Sequence, residues 1–324
     1  MSAPFAIGTY SRDGDRFAGL VVDDVVFDLR PHLGADVTTG TLLADWESAF
    51  ARLSEIAAGP LGAGVPLADV RSEVPIDPPG QVLCAGANYR RHLVQMHFAF
   101  ERRGGSTLSD DELRAASAAF VDERVAKGTP FVFAALAGAL SGADDDVVLF
   151  GPGHEHDWEL ELAVVIGKAG WQIPRERAME HVAGYTISND ISTRDVMNRP
   201  GFPMTDFVTT KLRPTFFPTG PYVVPAAFVP DPTDLQLTLA VNGAVMQDES
   251  ASDIIFRVDQ LIAYASTLVV LRPGDLLLTG SPAGNAAHHG NRWLVEGDVI
   301  ESTITGLGTQ RNRCVAESAF VPEL

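Results

Sequence analysis

Cysteine is nearly absent: Cys84 and Cys314 are the whole complement in 324 residues. Two thiols give neither a disulfide framework nor a thiolate metal site, so both are expected as buried packing residues. Positive charge is also sparse, with 24 Lys and Arg against 42 Asp and Glu and a formal net charge of -18. That balance repels nucleic-acid phosphates and anionic lipid, and no local cluster of basic residues reverses it. No segment reaches the roughly 18 uninterrupted apolar residues of a membrane helix. The opening Met1-Ser2-Ala3-Pro4-Phe5 has no basic stretch leading into an apolar run, so it does not resemble a secretory signal. The expectation is a cytoplasmic protein with neither nucleic acid nor membrane as partner. What is present is the composition of a globular chain, 46% hydrophobic and 20% charged, with apolar residues spread throughout. The length predicts a main domain with a smaller companion.

Apolar runs around the Asp13-Gly14 turn signal, followed by Leu42, Leu43, Trp46, Phe50, Leu53 and Ile56 at helical spacing, read as a compact N-terminal unit. The Gly- and Pro-rich stretch 59–79 reads as the linker out of it, with a boundary predicted near residue 76. Beyond it strands dominate: 81–85, 158–166, 235–241 turning at Asn242-Gly243 into 244–247, 276–279 and 299–305. Helices are fewer. Ser109 with Glu112 forms a capping box that opens a helix running to Lys127 and stopping at Gly128, and 253–268 carries one apolar face. The mixture predicts an α+β fold, not the strand-helix alternation of a doubly wound sheet.

The sharpest chemical signal is Asp157-Trp158-Glu159-Leu160-Glu161-Leu162. Side chains alternate along a strand, so Glu159 and Glu161 share a face while Trp158, Leu160 and Leu162 take the other. Such a pair can be a solvated strand face. Here the following positions on the same side are Ala163 and Val165, so both faces are covered, and two buried glutamates repel unless a positive charge compensates them. A hard divalent cation does so through carboxylate oxygens. Asp190 ends a second strand as either a turn former or a ligand, and Lys211 alone reads as a surface lysine.

Six segments together resemble the fumarylacetoacetate hydrolase superfamily in order and spacing. They are Asn88-Tyr89-x-x-His92, the Asp157 to Lys168 segment, Gly184-Tyr185-Thr186-x-x-Asn189-Asp190-x-Ser192-x-Arg194-Asp195, Pro218-x-Gly220-Pro221, Val241-Asn242-Gly243 and Pro273-Gly274-Asp275 through Gly284. The resemblance spans residues 81–313. It implies a β-rich α+β core with a rolled mixed sheet at 77–324, a small N-terminal α/β domain at 1–76, and a homodimer. It also implies Mg2+ or Mn2+ held by Glu159, Glu161 and Asp190, with Ca2+ able to stand in for it in crystals. In such a site His92 is the base and Lys211 the oxyanion stabiliser. Arg194 orients the metal site or a substrate carboxylate, or else forms a structural salt bridge to Asp195 or Asp190. The implied substrate is a small anionic keto acid or diketone. A hydrolase cleaving a carbon-carbon bond in an acylpyruvate-type acid is the first expectation. A decarboxylase or tautomerase of a 2-oxo acid comes next, and a non-catalytic binding protein last.

The chain departs from that pattern in its pocket. A glutamate common in the family three residues after the histidine is Gln95 here, leaving Glu101, Glu155 or Glu296 as candidates to complete the pair. Met197 stands where the hydrolases have glutamine and Ser281 where they have threonine. Both are expected, with Tyr89 and His288, to contact substrate, and a less polar environment is predicted near Met197. His289 beside His288 reads as part of a loop near the site. The inserted segment 97–128 is expected to be a lid or a dimer element, with an apolar stripe of Leu113, Ala116, Phe120 and Val125.

Overall fold

The computed structural model describes residues 4–201 and 203–321. The expected α+β architecture is present, with a large mixed sheet at its centre. Its middle is the strand Leu160–Ile166, buried along its whole length, which pairs antiparallel with Val182–Asn189 on one side and Leu276–Leu278 on the other. From Leu276–Leu278 the sheet continues parallel to Val82–Gly86 and then antiparallel to Phe131–Ala135. In the other direction Val182–Asn189 pairs with Phe217–Pro225. The outer edge of that strand meets Ala6–Arg12 at the Ile7–Val223 pair, so the N-terminal strands extend the same sheet. A five-stranded sheet, ordered Ala244–Ser250, Gln236–Val241, Val299–Ile304, Gly308–Ala316 and Val147–Leu149, forms the second β element. Its hairpin turns at Asn242 and Gly243, both at positive φ, as the Asn-Gly pair demands.

Local chemistry explains where the structure differs from the periodicity. The apolar spacing over 42–56 is interrupted at Asp45, whose φ of -135° and ψ of 68° are not helical, so two helices form, Thr39–Ala44 and Trp46–Ala58. The stretch 59–79 is not bare linker: Val65–Pro66 and Arg71–Ser72 pair with the N-terminal strands. The capping box opens the helix Asp110–Lys127 as expected, with Ser109 N donating to Glu112 Oε2 at 2.9 Å. Its buried stripe, however, is Leu113, Ser117 and Val121, while Ala116 and Phe120 are exposed. The polar Ser117 faces inward because its Oγ meets His97 Nδ1 at 3.0 Å on the neighbouring helix Arg90–Arg103. The segment 97–128 is thus the larger part of a helical hairpin whose first helix begins before it. Cys84 and Cys314 are buried free thiols, and among the described residues no helix is long and apolar enough to cross a membrane.

Candidate metal centre and active site

Glu159, Glu161 and Asp190 converge with one carboxylate oxygen each within 4.8 Å of the others, all three buried. The backbone sets this up. Glu159 lies just before the ladder of Leu160–Ile166, and its N–H donates to the Asn189 side chain at 2.8 Å while its carbonyl accepts from Asp190 N at 2.9 Å. Glu161 follows two residues on, facing the same way. Its Oε2 accepts the Gly280 N–H at 2.7 Å. Gly280 has a φ of 96°, and a Cβ there would come within 2.9 Å of both Ala85 O and Asn88 Cβ, so only glycine lets this turn present its amide.

Two cations enter the cluster. Lys211, the last residue of the helix Phe207–Lys211, is buried and not on the surface. Its Nζ donates to Glu159 Oε2 and Asp190 Oδ2, each at 2.6 Å, and to Ser192 Oγ at 2.8 Å. Arg194 bridges Asp157 and Glu159, with Nε 2.9 Å from Asp157 Oδ2 and Nη2 2.7 Å from Glu159 Oε1. Neither Asp195 nor Asp190 is its partner. Asp195 instead accepts the backbone N–H groups of His154 and Glu155. Asp157, quoted in the motif but not expected to act, anchors the guanidinium and also accepts from Ala286 N at 2.8 Å.

Electrostatics shows what the cluster lacks. Burial works to raise the Glu159 pKa, but Arg194 and Lys211 together overcome it and hold that carboxyl well below its ordinary range. Burial, joined by the charges of Asp190 and Glu159, pushes Glu161 well above it. Asp190 is pushed up to about 6 by burial, against the pull of Lys211. Arg194 and Lys211 pair with Asp157, Glu159 and Asp190, and neither reaches Glu161, which leaves one buried carboxyl of the four without a cation. Asp190 Oδ1 is moreover buried with no hydrogen-bond partner. An all-carboxylate donor set with an orphaned oxygen and one carboxyl that no cation reaches fits a hard divalent cation.

Above the triad is a cavity of about 210 Å3, reached by His92, Arg194, Met197, Lys211 and Ser281 among the residues singled out from the sequence. His92 is the third residue of the helix Arg90–Arg103. That helix starts where Asn88 is clamped: its Nδ2 donates to Thr279 O and Phe256 O, and its Oδ1 accepts from Phe256 N. Burial lowers the His92 pKa to about 4, Glu159 opposing, so the imidazole is uncharged at neutral pH. Ser281 is held by Gln247, whose Nε2 lies 2.9 Å from the serine Oγ.

Other expected residues are elsewhere. Tyr89 is buried in the core beside the helix start and does not line the cavity. Gln95 buries its Oε1 without a partner, as His92 buries its Nδ1. Among the described residues no carboxylate hydrogen-bonds His92. Glu101 lies 4.0 Å from His97, Glu155 lends only its backbone oxygen to Arg194 N, and Glu296 is exposed at a turn. His288 and His289 sit on a short 3-10 turn, Ala286–His289, not a loop. His288 is edge-on to His92 with ring centres 6.0 Å apart, its Nδ1 accepting the Gly284 N–H, and His289 Nε2 meets Met246 O at 2.9 Å. The cavity also has lining that nothing in the sequence flagged: Met96, Phe131, Phe133, Thr205 and Phe207. As apolar or small residues scattered along the chain they are indistinguishable from core positions before folding.

Comparison with known proteins agrees with this geometry. Residues 81–315 match the family described as fumarylacetoacetate (FAA) hydrolase C-terminal. The chain is 33% identical over 306 residues to the human oxaloacetate tautomerase FAHD2A, mitochondrial, covering 88% of each. It is 34% identical over 269 residues to 2,4-didehydro-3-deoxy-L-rhamnonate hydrolase of Sphingomonas sp. (strain SKA58), covering 82% of each. Among solved structures, maleylpyruvate hydrolase from Sphingobium sp. SYK-6 in complex with manganese(II) and pyruvate superposes with a TM-score of 0.72 at 28% identity. That match covers 96% of this chain and 99% of the other. These relatives are enzymes, hydrolases and a tautomerase alike. With the matched segment spanning the strands that carry Glu159, Glu161 and Asp190, this chain belongs to the fumarylacetoacetate hydrolase family.

Proposed function

We propose that this protein catalyses enol-keto interconversion of a small 2-oxo acid bound to a divalent cation, Mg2+ or Mn2+, on Glu159, Glu161 and Asp190. The observation that carries the proposal is the isolation of His92: it lines the cavity, is buried and uncharged, and has no carboxylate partner. A neutral imidazole can take a proton from the carbon next to an oxo group and return it to the oxygen, which converts keto to enol with no net change in protons. A cation held by Glu159, Glu161 and Asp190 would supply Lewis acidity to the oxo group of the substrate. Lys211 keeps Glu159 and Asp190 charged and adds positive potential where the oxygen becomes negative. Arg194 fixes Glu159 from the other side. The cavity volume of about 210 Å3 suits a substrate smaller than the drug-sized ligands that fill common pockets.

Hydrolytic carbon-carbon cleavage is the second reading, favoured by the hydrolases among the relatives. It asks His92 to activate water, and Gln95 at the following turn can orient the ring but can neither charge-stabilise nor accept its proton. The experiment is a panel of oxaloacetate, arylpyruvates and acylpyruvates with purified protein and Mn2+, followed by the decay of enol absorbance and by product mass. Faster enol decay with the carbon skeleton intact supports the proposal. Cleaved products in its place replace it with hydrolysis, and an inert panel with bound metal removes both. A homodimer is also proposed, supported by Phe100 and Phe120 standing exposed on the helical hairpin. A monomer in sedimentation would remove that part.

A further inference from the structure

The cavity lining is of two unlike kinds. One part is the triad with Lys211 and Arg194. Both cations are already committed, Lys211 to Glu159 and Asp190, Arg194 to Glu159 and Asp157. Beside them Phe133, its ring centre 5.6 Å from Lys211 Nζ, lies face to face with Phe207, ring centres 4.7 Å apart and planes 7° from parallel. Phe131 leans on both at 6.3 and 6.2 Å, and Met96 and Met197 also line the cavity. No further Lys or Arg lines the cavity among the described residues. Arg199, the next cation along the chain from Arg194, is paired with Asp206 and is not part of the lining.

A second carboxylate placed against these rings and thioethers would be stripped of water, and the cation near them, Lys211, is already shared by Glu159 and Asp190. A flat apolar tail meets the opposite situation. Phe131 is 55% exposed although it forms part of the cavity wall, so covering its face removes apolar surface from water. The backbone is arranged for that ring: a Cβ on Gly86 would lie 2.7 Å from Phe131 Cδ1, and the missing side chain lets the ring rest on the neighbouring strand.

We infer that the substrate is a 2-oxo acid with one carboxylate and an apolar, ring-bearing tail, and that Phe131, Phe133 and Phe207 receive that tail. The inference rests on the enolisation proposal for the chemistry at the triad, but the selectivity can be read separately. Full-length protein loaded with Mn2+ is titrated calorimetrically with phenylpyruvate and with oxaloacetate, and enol decay of both is timed. Phenylpyruvate should bind about tenfold tighter or more, the scale on which pockets tell apolar groups apart. Phe131→Ala, at a half-exposed position, should erase most of that margin, with phenylpyruvate affinity falling more than oxaloacetate affinity. Met197→Arg should move the preference toward oxaloacetate. Equal or tighter binding of oxaloacetate by the unaltered protein, or binding of neither acid, overturns the inference. Preferred binding of phenylpyruvate with no acceleration of either enol would remove the enolisation proposal and leave the selectivity standing.

Discussion

On the floor of the cavity Glu159 by itself receives hydrogen bonds from Arg194, Lys211 and Ser192, whereas His92 in the lining and Gln95, one turn further along its helix, each bury a polar atom that meets no partner. The floor is built on strands buried on both faces, and its charges are held by side chains from four separate segments. The rest of the lining comes from a helical hairpin and an aromatic cluster, held by packing. The contrast teaches that position and identity are tightly specified where charge is buried, because an unpaired buried charge is so costly. Where apolar groups do the work, shape can change with less penalty. Family-wide chemistry then belongs to the floor, and this chain's own selectivity to the wall.

The contrast can be broken first at the floor. Glu159→Gln and Asp190→Asn should each weaken Mn2+ binding by at least about 100-fold, beyond what loss of a supporting partner costs. Calorimetry reads the affinity and circular dichroism the fold, and full occupancy in either folded variant would end the ligand assignment. Next, Lys211→Met leaves Glu159 and Asp190 short of a cation and should cost about 3–5 kcal/mol of stability in metal-free protein. Urea unfolding with EDTA and with Mn2+ would show the deficit shrinking when metal is bound. An equal deficit in both would mean that lysine and metal do not serve the same carboxylates.

Smaller effects come from the opposite side. In the native protein His92 stays uncharged down to about pH 4, so as the base it fails only as pH falls through that value. Gln95→Glu brings an acceptor with charge one helical turn away and should raise the His92 pKa by roughly 1–2 units. The acid limb of kcat/KM then moves to higher pH by the same amount. A limb that stays put would separate His92 from the proton transfer. Least of all, Ser109→Ala removes the cap of the second hairpin helix and should cost about 1 kcal/mol, lowering the melting temperature while leaving Mn2+ affinity unchanged.

How much of this was legible beforehand follows the same division. The alternation around Glu159 and Glu161 exposed their shared face, Ala163 and Val165 exposed the burial of that face, and the Ser109-Glu112 spacing marked a helix start to the residue. Each is a local rule acting over a few positions. Arg194 was visible as a charged residue beside Asp195, but sequence neighbours are poor guides to ion pairs. Its partners, Asp157 and Glu159, lie more than thirty residues upstream and become adjacent only when two strands pair. Phe133 and Phe207, 74 positions apart, stack face to face, and nothing in either local pattern separates a cavity wall from a core. Tyr89 fails for the opposite reason: the motif put it beside His92, yet at the turn from strand to helix successive side chains diverge, and the ring goes into the core.

The pairing of Ile7 with Val223 has a practical consequence for anyone dissecting the molecule. Ala6–Arg12 covers the outer edge of Phe217–Pro225, so cutting the chain near residue 76 would uncover a strand with unsatisfied backbone groups and an apolar face. An open edge of that kind recruits other strands. A shortened protein carrying every residue of the acidic floor would therefore be expected to come out of solution as aggregate, and the first segment acts as the shield that keeps the sheet finite.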